Sequence, residues 1–334
     1  MKVTIKDIAS MAGVSISTVS RVINGSKPVN EDVRNRVLEA MRRTNYRAMQ
    51  VVPGAGEAAE RESQRIAVII PEYSNTVLNE FIVGIHRVAK LYGYVIDIGL
   101  TDGTPATELD YLRRFRDERP NGLVFVGSAW GDEHTDIAKS ADLPCVLVGL
   151  ESTVPGIPSV HVDNATASYE AVTYLVQRGH RDIATICGVD NMAVGTRRQQ
   201  GYRQAMADAG LPVREDWVVE CEISVEEGYR AMRDILGTGD RPTAVFCATD
   251  LMAIGAMNCL LDQGLRIPED VSVFGFDGSF VSSIFRPRLT TVEYSATEVG
   301  MTAARHLMKL IKGETGVPQH SNVTHYLAIR ESTN

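Results

Sequence analysis

From residue 66 onward, short runs of branched apolar residues alternate with stretches of helical period, and that rhythm admits few folds. Residues 66–70 form a continuous apolar run, after which Leu78, Phe81, Ile82, Ile85, Val88 and Ala89 recur at helical spacing as far as Gly93. Residues 94–100, 123–126 and 145–148 read as further buried strands, with helical stretches at 105–117 and 132–141 between them. A strand that is apolar on both faces belongs inside a parallel sheet covered by helices. The pattern then repeats: helix 165–178, strand 183–187, helix 196–209, strand 217–220, helix 225–236, strand 244–248, helix 251–263, strand 271–276. Two successive open parallel sheets are expected, making a two-lobed α/β core. Ligands of such sheets sit at the carboxyl ends of the strands, and here two such edges can face each other.

The first fifty residues follow a different pattern. Thr4 stands at capping-box distance from Asp7, ahead of an apolar series at Ile5, Ile8, Ala9 and Ala12. That spacing predicts a helix start and a buried face. Gly13 suits a tight turn, and Ser15 can cap a second helix whose inner face carries Val19, Val22 and Ile23. Its outer face shows Ile16, Ser17, Ser20 and Arg21. Residues 24–30 read as a loop by their Gly and Pro content. Asn30 and Asp32 then precede a third helix over 33–44, with Val33, Val37, Leu38 and Met41 on one side. Residues 1–50 hold nine Lys/Arg against four Asp/Glu in a chain whose net charge is −8. A basic head on an acidic chain suits a polyanion held by one end, with salt-dependent affinity.

Three runs in that head, Thr4-Ile-Lys-Asp-Ile-Ala9, Ala12-Gly-Val-Ser15 and Thr18-Val-Ser-Arg-Val-Ile-Asn24, resemble the signature of the lactose-repressor (LacI/GalR) family of bacterial transcription regulators. The resemblance continues through Pro28-Val29 and residues 33–46. In the core it is carried by Val162-Asp-Asn164, Arg178-Gly-His-Arg-Asp-Ile183, Arg198-x-x-Gly-Tyr202, Ala248-Thr-Asp250 with Ala253-x-Gly255, Val271-Ser-Val-Phe-Gly-Phe-Asp277 and Leu289-Thr-Thr-Val292. It implies an all-α helix-turn-helix DNA-binding domain over 1–47, a linker over 48–65 and a periplasmic-binding-protein-like effector and dimerisation core over 66–334. Lobe 1 would take about 66–161 and 294–319, with the late helix 296–312, and lobe 2 about 162–293 and 320–334. Crossings between them would fall near 161–163, 290–294 and 318–322. The linker departs from the family. Ala48 stands at the usual proline position and Ala55 at that of the leucine that wedges into the minor groove, while Pro53, Gly54 and Gly56 interrupt any helix. The wedge is therefore not carried over.

The same resemblance implies a ligand-responsive regulator, most often a repressor, that acts as a homodimer on a near-palindromic double-stranded operator. A second helix of this kind lies in the major groove. Ile16, Ser17 and Arg21 would face bases, and Thr18, Ser20 and Asn24 would hold phosphates. Thr4 and Ser15, at the two helix starts, complete the DNA-facing set. For the effector, a sugar or sugar derivative, Asp277 is the first choice and Arg197 or Arg198 the second. Thr196 holds the place five residues before Gly201. Thr249, Ile223 and, from the first lobe, Tyr73, Ser74, Asn75 and Val126 complete the set. Asp250 is expected to cap its helix. With Val126 and Gly149 where some relatives offer Asn and Asp, a less hydroxylated or smaller ligand is allowed.

Other chemistries find little support. The first sheet strand ends in Ile70-Pro-Glu-Tyr-Ser-Asn and not in a Gly-rich dinucleotide turn, and there is no GxxxxGK[ST], HExxH or GxSxG. No cofactor or metal is expected. His180 reads as a turn hydrogen-bonder, and five scattered cysteines as reduced, buried thiols. An enzyme using Asp250 and Asp277 is the weaker reading. A solute-binding protein without DNA function is the stronger alternative, opposed by the basic head and by a start that lacks a signal peptide's apolar core. No run nears the roughly 20 apolar residues that span a bilayer, so a cytoplasmic protein is expected. Without a leucine heptad at the end, a coiled-coil tetramer is not expected.

Overall fold

The structure, a computed structural model, describes residues 5–24, 29–43, 64–72, 75–188 and 193–334. The chain separates into two compact units, Met1–Ser63 and Gln64–Asn334.

In the first unit, α1 (Ile5–Ala12), α2 (Ile16–Asn24) and α3 (Glu31–Arg43) enclose a small core of Ile8, Ala9, Ala12, Val19, Val37 and Ala40, with Val14 and Val22 against it. Gly13 makes the turn between α1 and α2 at φ 63°, a left-handed conformation that glycine adopts without strain. The Thr18 amide donates to Ser15 Oγ at 3.2 Å, so Ser15 caps α2 as expected. Asn30 does the same for α3 through the Asp32 amide at 2.9 Å, and α3 begins two residues earlier than its apolar pattern suggests. Thr4 and the linker segment 48–63 lie outside the described residues, so the capping box and the hinge sequence have no structural account.

In the second unit the elements follow the predicted alternation. The first half runs β1 (Arg65–Ile70), α4 (Thr76–Leu91), β2 (Val95–Leu100), α5 (Pro105–Glu118), β3 (Gly122–Phe125), α6 (Asp132–Ser140), β4 (Cys145–Val148) and β5 (Ser159–His161). The second runs α7 (Asn164–Gln177), β6 (Ile183–Gly188), α8 (Ala193–Asp208), β7 (Val218–Cys221), α9 (Val225–Leu236), β8 (Ala244–Cys247), α10 (Asp250–Asp262), β9 (Ser272–Asp277), α11 (Phe280–Ile284) and β10 (Thr290–Tyr294). The chain ends in α12 (Ala296–Ile311), β11 (His320–Asn322) and β12 (His325–Ala328).

These strands form two six-stranded sheets, ordered β11-β5-β4-β3-β1-β2 and β12-β10-β9-β8-β6-β7. All pairings are parallel except β10 with β12. Strand order reverses between β1 and β3 in one sheet and between β6 and β8 in the other. In an open sheet such a switch point splays the connecting loops apart and leaves a crevice beyond the strand ends.

The backbone passes between sheets three times: after β5, between β10 and α12, and between β11 and β12. The second passage falls at Ser295, because Thr290–Glu293 is paired with β9 and Tyr294 with β12 of the same sheet. The third falls after Asn322, because β11 pairs with β5 in the first sheet; residues 320–322 thus stand in the first sheet, not the second. The late helix, α12, packs on α4 and on strands β3, β4 and β5. There α12 crosses α4 so closely that a Cβ on Gly84 would lie 2.1 Å from the Thr297 carbonyl oxygen, and one on Gly300 would lie 2.2 Å from that of Phe81. All five cysteines are free and buried, and His180 bonds the Thr243 hydroxyl at 3.0 Å. Among the described residues, no helix is long and apolar enough to cross a membrane.

Candidate ligand site and nucleic-acid interface

The two switch points meet across the lobes. A cavity of about 100 Å³ is walled by Pro71, Glu72 and Asn75 after β1, Val126 and Gly127 after β3, Gly188 at the end of β6, Val194 and Gly195 in α8, and Ala248 and Thr249 after β8. Its lining is chiefly apolar, with Val77, Leu78, Phe81, Val148, Val162 and Ile223 on the walls. Four of its polar groups, Asn164, Arg198, Asp277 and Tyr294, bond one another.

There Asp277 closes β9 at φ 116°, a conformation that costs a non-glycine residue free energy and marks a held position. Its carboxylate lies 3.0 Å from an Arg198 guanidinium nitrogen and accepts from the Tyr294 hydroxyl at 3.3 Å. Arg198 donates through Nε to Asn164 Oδ1 at 2.8 Å and through another nitrogen to the Ala248 carbonyl, and its guanidinium lies 3.5 Å over the Phe276 ring. Both side chains are buried. Burial raises the Asp277 carboxyl above its usual range, and Arg198 offsets part of that rise. An ion pair removed from water persists only with further hydrogen bonds on both partners, and both have them here. Such a pair can be parted by a ligand carrying adjacent hydroxyls, since the guanidinium donates, the carboxylate accepts, and a diol does both.

The other expected contacts are divided. Asn75, Val126, Arg198, Ile223, Thr249 and Asp277 line the cavity. Thr196 and Arg197 do not: Arg197 is exposed and pairs with Glu151 of the first lobe at 2.9 Å. The reason is helical geometry, because neighbours on α8 point about 100° apart and only one of two consecutive arginines can face inward. Tyr73 and Ser74 lie outside the described residues. Thr249 and Asn75 are also helix caps, accepting from the Met252 and Val77 amides at 3.3 and 3.1 Å. Asp250 does not cap α10, since Thr249 holds that place. Its buried carboxylate instead accepts from the Ser279 amide and hydroxyl, both at 2.7 Å, and from the Thr291 hydroxyl at 2.6 Å. Asp250 and Asp277 thus each have other hydrogen-bond partners.

Sequence reasoning missed His161, Asn164 and Tyr294. Asn164 sits in Val162-Asp-Asn164, whose place directly after a crossing was the available signal. His161 lines the cavity, is buried, and its Nδ1 has no hydrogen-bond partner among the described residues. Burial, above all, lowers its pKa.

On the head, Ser15, Ile16, Ser17 and Arg21 are exposed and Thr18 is half-buried. The first four occupy the start and outer side of α2, where an N-terminus offers unpaired amides and a positive dipole end. Ser15 Oγ lies 2.8 Å from both the Ser17 and the Thr18 hydroxyls, which ties this corner together. The side chains of Ser20 and Asn24 lie outside the described set, as does Thr4.

Comparison with known proteins agrees with both halves of this geometry. Residues 4–48 match the family model described as bacterial regulatory proteins, lacI family, and residues 63–331 match that of periplasmic binding proteins and sugar binding domain of LacI family. Catabolite control protein A of Priestia megaterium is 34% identical over 334 residues, all of both chains. The solved structure of a transcriptional regulator CelR–cellobiose complex is 30% identical with a TM-score of 0.74, covering 99% of each chain. That of the lac repressor dimer bound to operator and the anti-inducer ONPF is 26% identical with a TM-score of 0.76, covering 100% of this chain and 99% of that one.

Proposed function

The chain belongs to the lacI family of bacterial regulatory proteins, and from that premise we propose that a small molecule bound between its two lobes sets how firmly α2 holds an operator. The protein is a ligand-responsive, DNA-binding transcription regulator of the repressor type, working as a dimer on operator DNA. The reading places it in the cytoplasm and requires no turnover of the ligand. Within it, Ile16, Ser17 and Arg21 read base edges, while Ser15, Thr18 and the unseen Thr4, Ser20 and Asn24 side chains serve the phosphates. Asp277 and Arg198 hold the effector, Asn75, Thr249, Val126 and Ile223 shape its walls, and Tyr73 and Ser74 complete the first-lobe side.

One observation carries the ligand assignment: the buried Arg198–Asp277 contact stands where the switch points of both sheets converge. A ligand that parts this pair, both members of which belong to the second lobe, would touch the first lobe through Asn75 and Val126 on the facing wall. Differential affinity for two lobe arrangements is the only means by which it can shift DNA binding, with coupling typically about 1–3 kcal/mol.

The test begins with duplexes selected from a random pool and titrated by fluorescence anisotropy at two salt concentrations, with and without sugars and sugar derivatives that raise the melting temperature. Arg21→Ala is expected to weaken the best duplex by about 1–3 kcal/mol and to relax preference at one base position. Asp277→Asn is expected to keep operator binding and lose the response to ligand. A chain that prefers no duplex over bulk DNA would overturn the reading.

A further inference from the structure

Residues 126–131, between β3 and α6, are part of the wall that the first lobe presents to the cleft. Val126 and Gly127 line the cavity, and Ala129 and Trp130 line a wider hollow of about 530 Å³ beside it. The anchors of this loop come from the helices on either side of it, α5 and α6.

Glu108 of α5 has no access to solvent. Its Oε1 accepts from the Ser128 amide at 2.7 Å and its Oε2 from the Ser128 hydroxyl at 3.0 Å. Burial raises this carboxyl, and the two Ser128 bonds, which favour the carboxylate, offset part of the rise. The loop lies on it so closely that a Cβ on Gly127 would come within 2.9 Å of Oε1. His134 of α6 is buried as well. Its Nδ1 accepts from the Gly131 amide at 3.3 Å, so its proton sits on Nε2. That nitrogen lies 3.9 Å from Glu108 Oε2, beyond hydrogen-bond reach, and has no hydrogen-bond partner among the described residues. The Trp130 ring is 5.4 Å from the imidazole and 5.0 Å from the Phe125 ring, and its Nε1 donates to the Thr135 hydroxyl at 2.9 Å.

Resting on the ligand reading above, we propose that His134 and Glu108 make this wall a proton-operated gate: a proton added to His134 frees residues 128–131 and loosens the cleft's hold on its effector. An imidazolium donates through both ring nitrogens. Its new Nδ1–H would face the Gly131 N–H, donor against donor, and that bond is lost. Its Nε2–H gains the Glu108 carboxylate as a charged partner, which draws the ring away from Gly131 and competes with the Ser128 hydroxyl for Oε2. One proton thus disturbs both anchors. The other charged group toward His134 is Glu133 of its own helix, itself paired with Arg113 of α5 at 2.5 Å; Phe125 and Trp130 offer apolar rings. Burial lowers the His134 pKa from its ordinary 6.5, with Glu133 opposing. The held loop therefore prevails above that value, and its advantage over the freed loop falls by up to about tenfold per pH unit below it, as far as the lowered pKa.

The chain has two tryptophans, so Trp217→Phe leaves Trp130 as the single indole reporter in the full chain. Emission then reports an imidazolium beside the indole, and acrylamide quenching reports access to the loop. From about pH 7.5 to about pH 5 emission is expected to drop and quenching to rise about twofold or more, with one midpoint below the ordinary histidine value. His134→Asn keeps an acceptor for the Gly131 amide without a titrating group. It is expected to abolish both steps and retain the low quenching of neutral pH. Glu108→Gln keeps an acceptor for Ser128 without the charge, and is expected to move the midpoint to lower pH. Circular dichroism checks that each variant is folded. An emission step without a quenching step would show that the proton leaves the loop in place, which overturns the gate. Steps that survive in His134→Asn, or a midpoint indifferent to Glu108→Gln, overturn it too. These measurements need no ligand, so their failure leaves the ligand reading standing, and that reading falls by the duplex and Asp277→Asn tests above.

Discussion

At the scale of single residues, Asp250 has the plainest consequence. It has no access to solvent, and burial, with the nearby Asp277 charge adding to it, pushes its carboxyl up to about 7 from an ordinary value of 3.8. Between those values the folded chain keeps a proton that the unfolded chain has released. The stability tied to this proton is therefore full below about pH 4, declines by about 1.4 kcal/mol per pH unit, and is gone above about pH 7. His134, His161 and His306, lowered chiefly by burial, act in the opposite sense as pH falls below their ordinary 6.5. The difference between wild type and Asp250→Asn isolates the term: in urea melts it should shrink from pH 5 to 7 and stay level above. A pH-independent difference would contradict the assignment. Asp277 and Thr249 were legible as cavity residues because each stands at a strand end, and Arg198, inside α8, through the Arg198-x-x-Gly-Tyr202 run. The role of Asp250 was not, since its partners Ser279 and Thr291 lie 29 and 41 residues away, and its neighbour Thr249 takes the cap.

At the scale of elements, the rhythm of apolar runs disclosed eight strands and the helices between them. It missed β5, β10, β11 and β12, which have three to five residues and include polar ones. Such short strands, β5 and β10 inside their sheets and β11 and β12 at the edges, owe their conformation to their partners and not to local pattern. The shape of helix contacts was equally hidden. Gly84 and Gly300 let α4 and α12 touch through their backbones, so even a methyl group forces the pair apart. Gly84→Ala is expected to cost about 1–3 kcal/mol in chemical denaturation, as overpacking does. Val83→Ala, next to it and 43% exposed, should stay within about 0.5 kcal/mol. Equal effects at the two positions would show that the crossing is not the cause.

At the scale of the whole molecule, dimeric action needs a surface, and large apolar side chains mark one. Phe280 and Ile284 on α11 are 66% and 54% exposed, and Leu91 at the end of α4 reaches 81%. Phe280 and Ile284, one helical turn apart on α11, form such a pair, and exposed apolar groups of this size on a folded surface usually meet a partner. The double change Phe280→Asp with Ile284→Asp is expected to shift the sedimenting species to monomer and to weaken operator binding about tenfold or more, since two heads would no longer be joined. An unchanged dimer would place the contact elsewhere. The alternation of lobes along the chain has an outcome of a different kind, one of timing. Ribosomes deliver the polypeptide in order, and the strands of the first lobe through His161 leave long before α12 and β11, which complete it. At about 5–20 residues per second, that lobe waits roughly ten seconds with its α4 face bare while most of the second lobe is made. Birth order and folding order therefore differ: the lobe that emerges first closes only with α12 and β11, just before β12 completes the second, and a nascent chain stalled before residue 296 should be held by chaperones through α4.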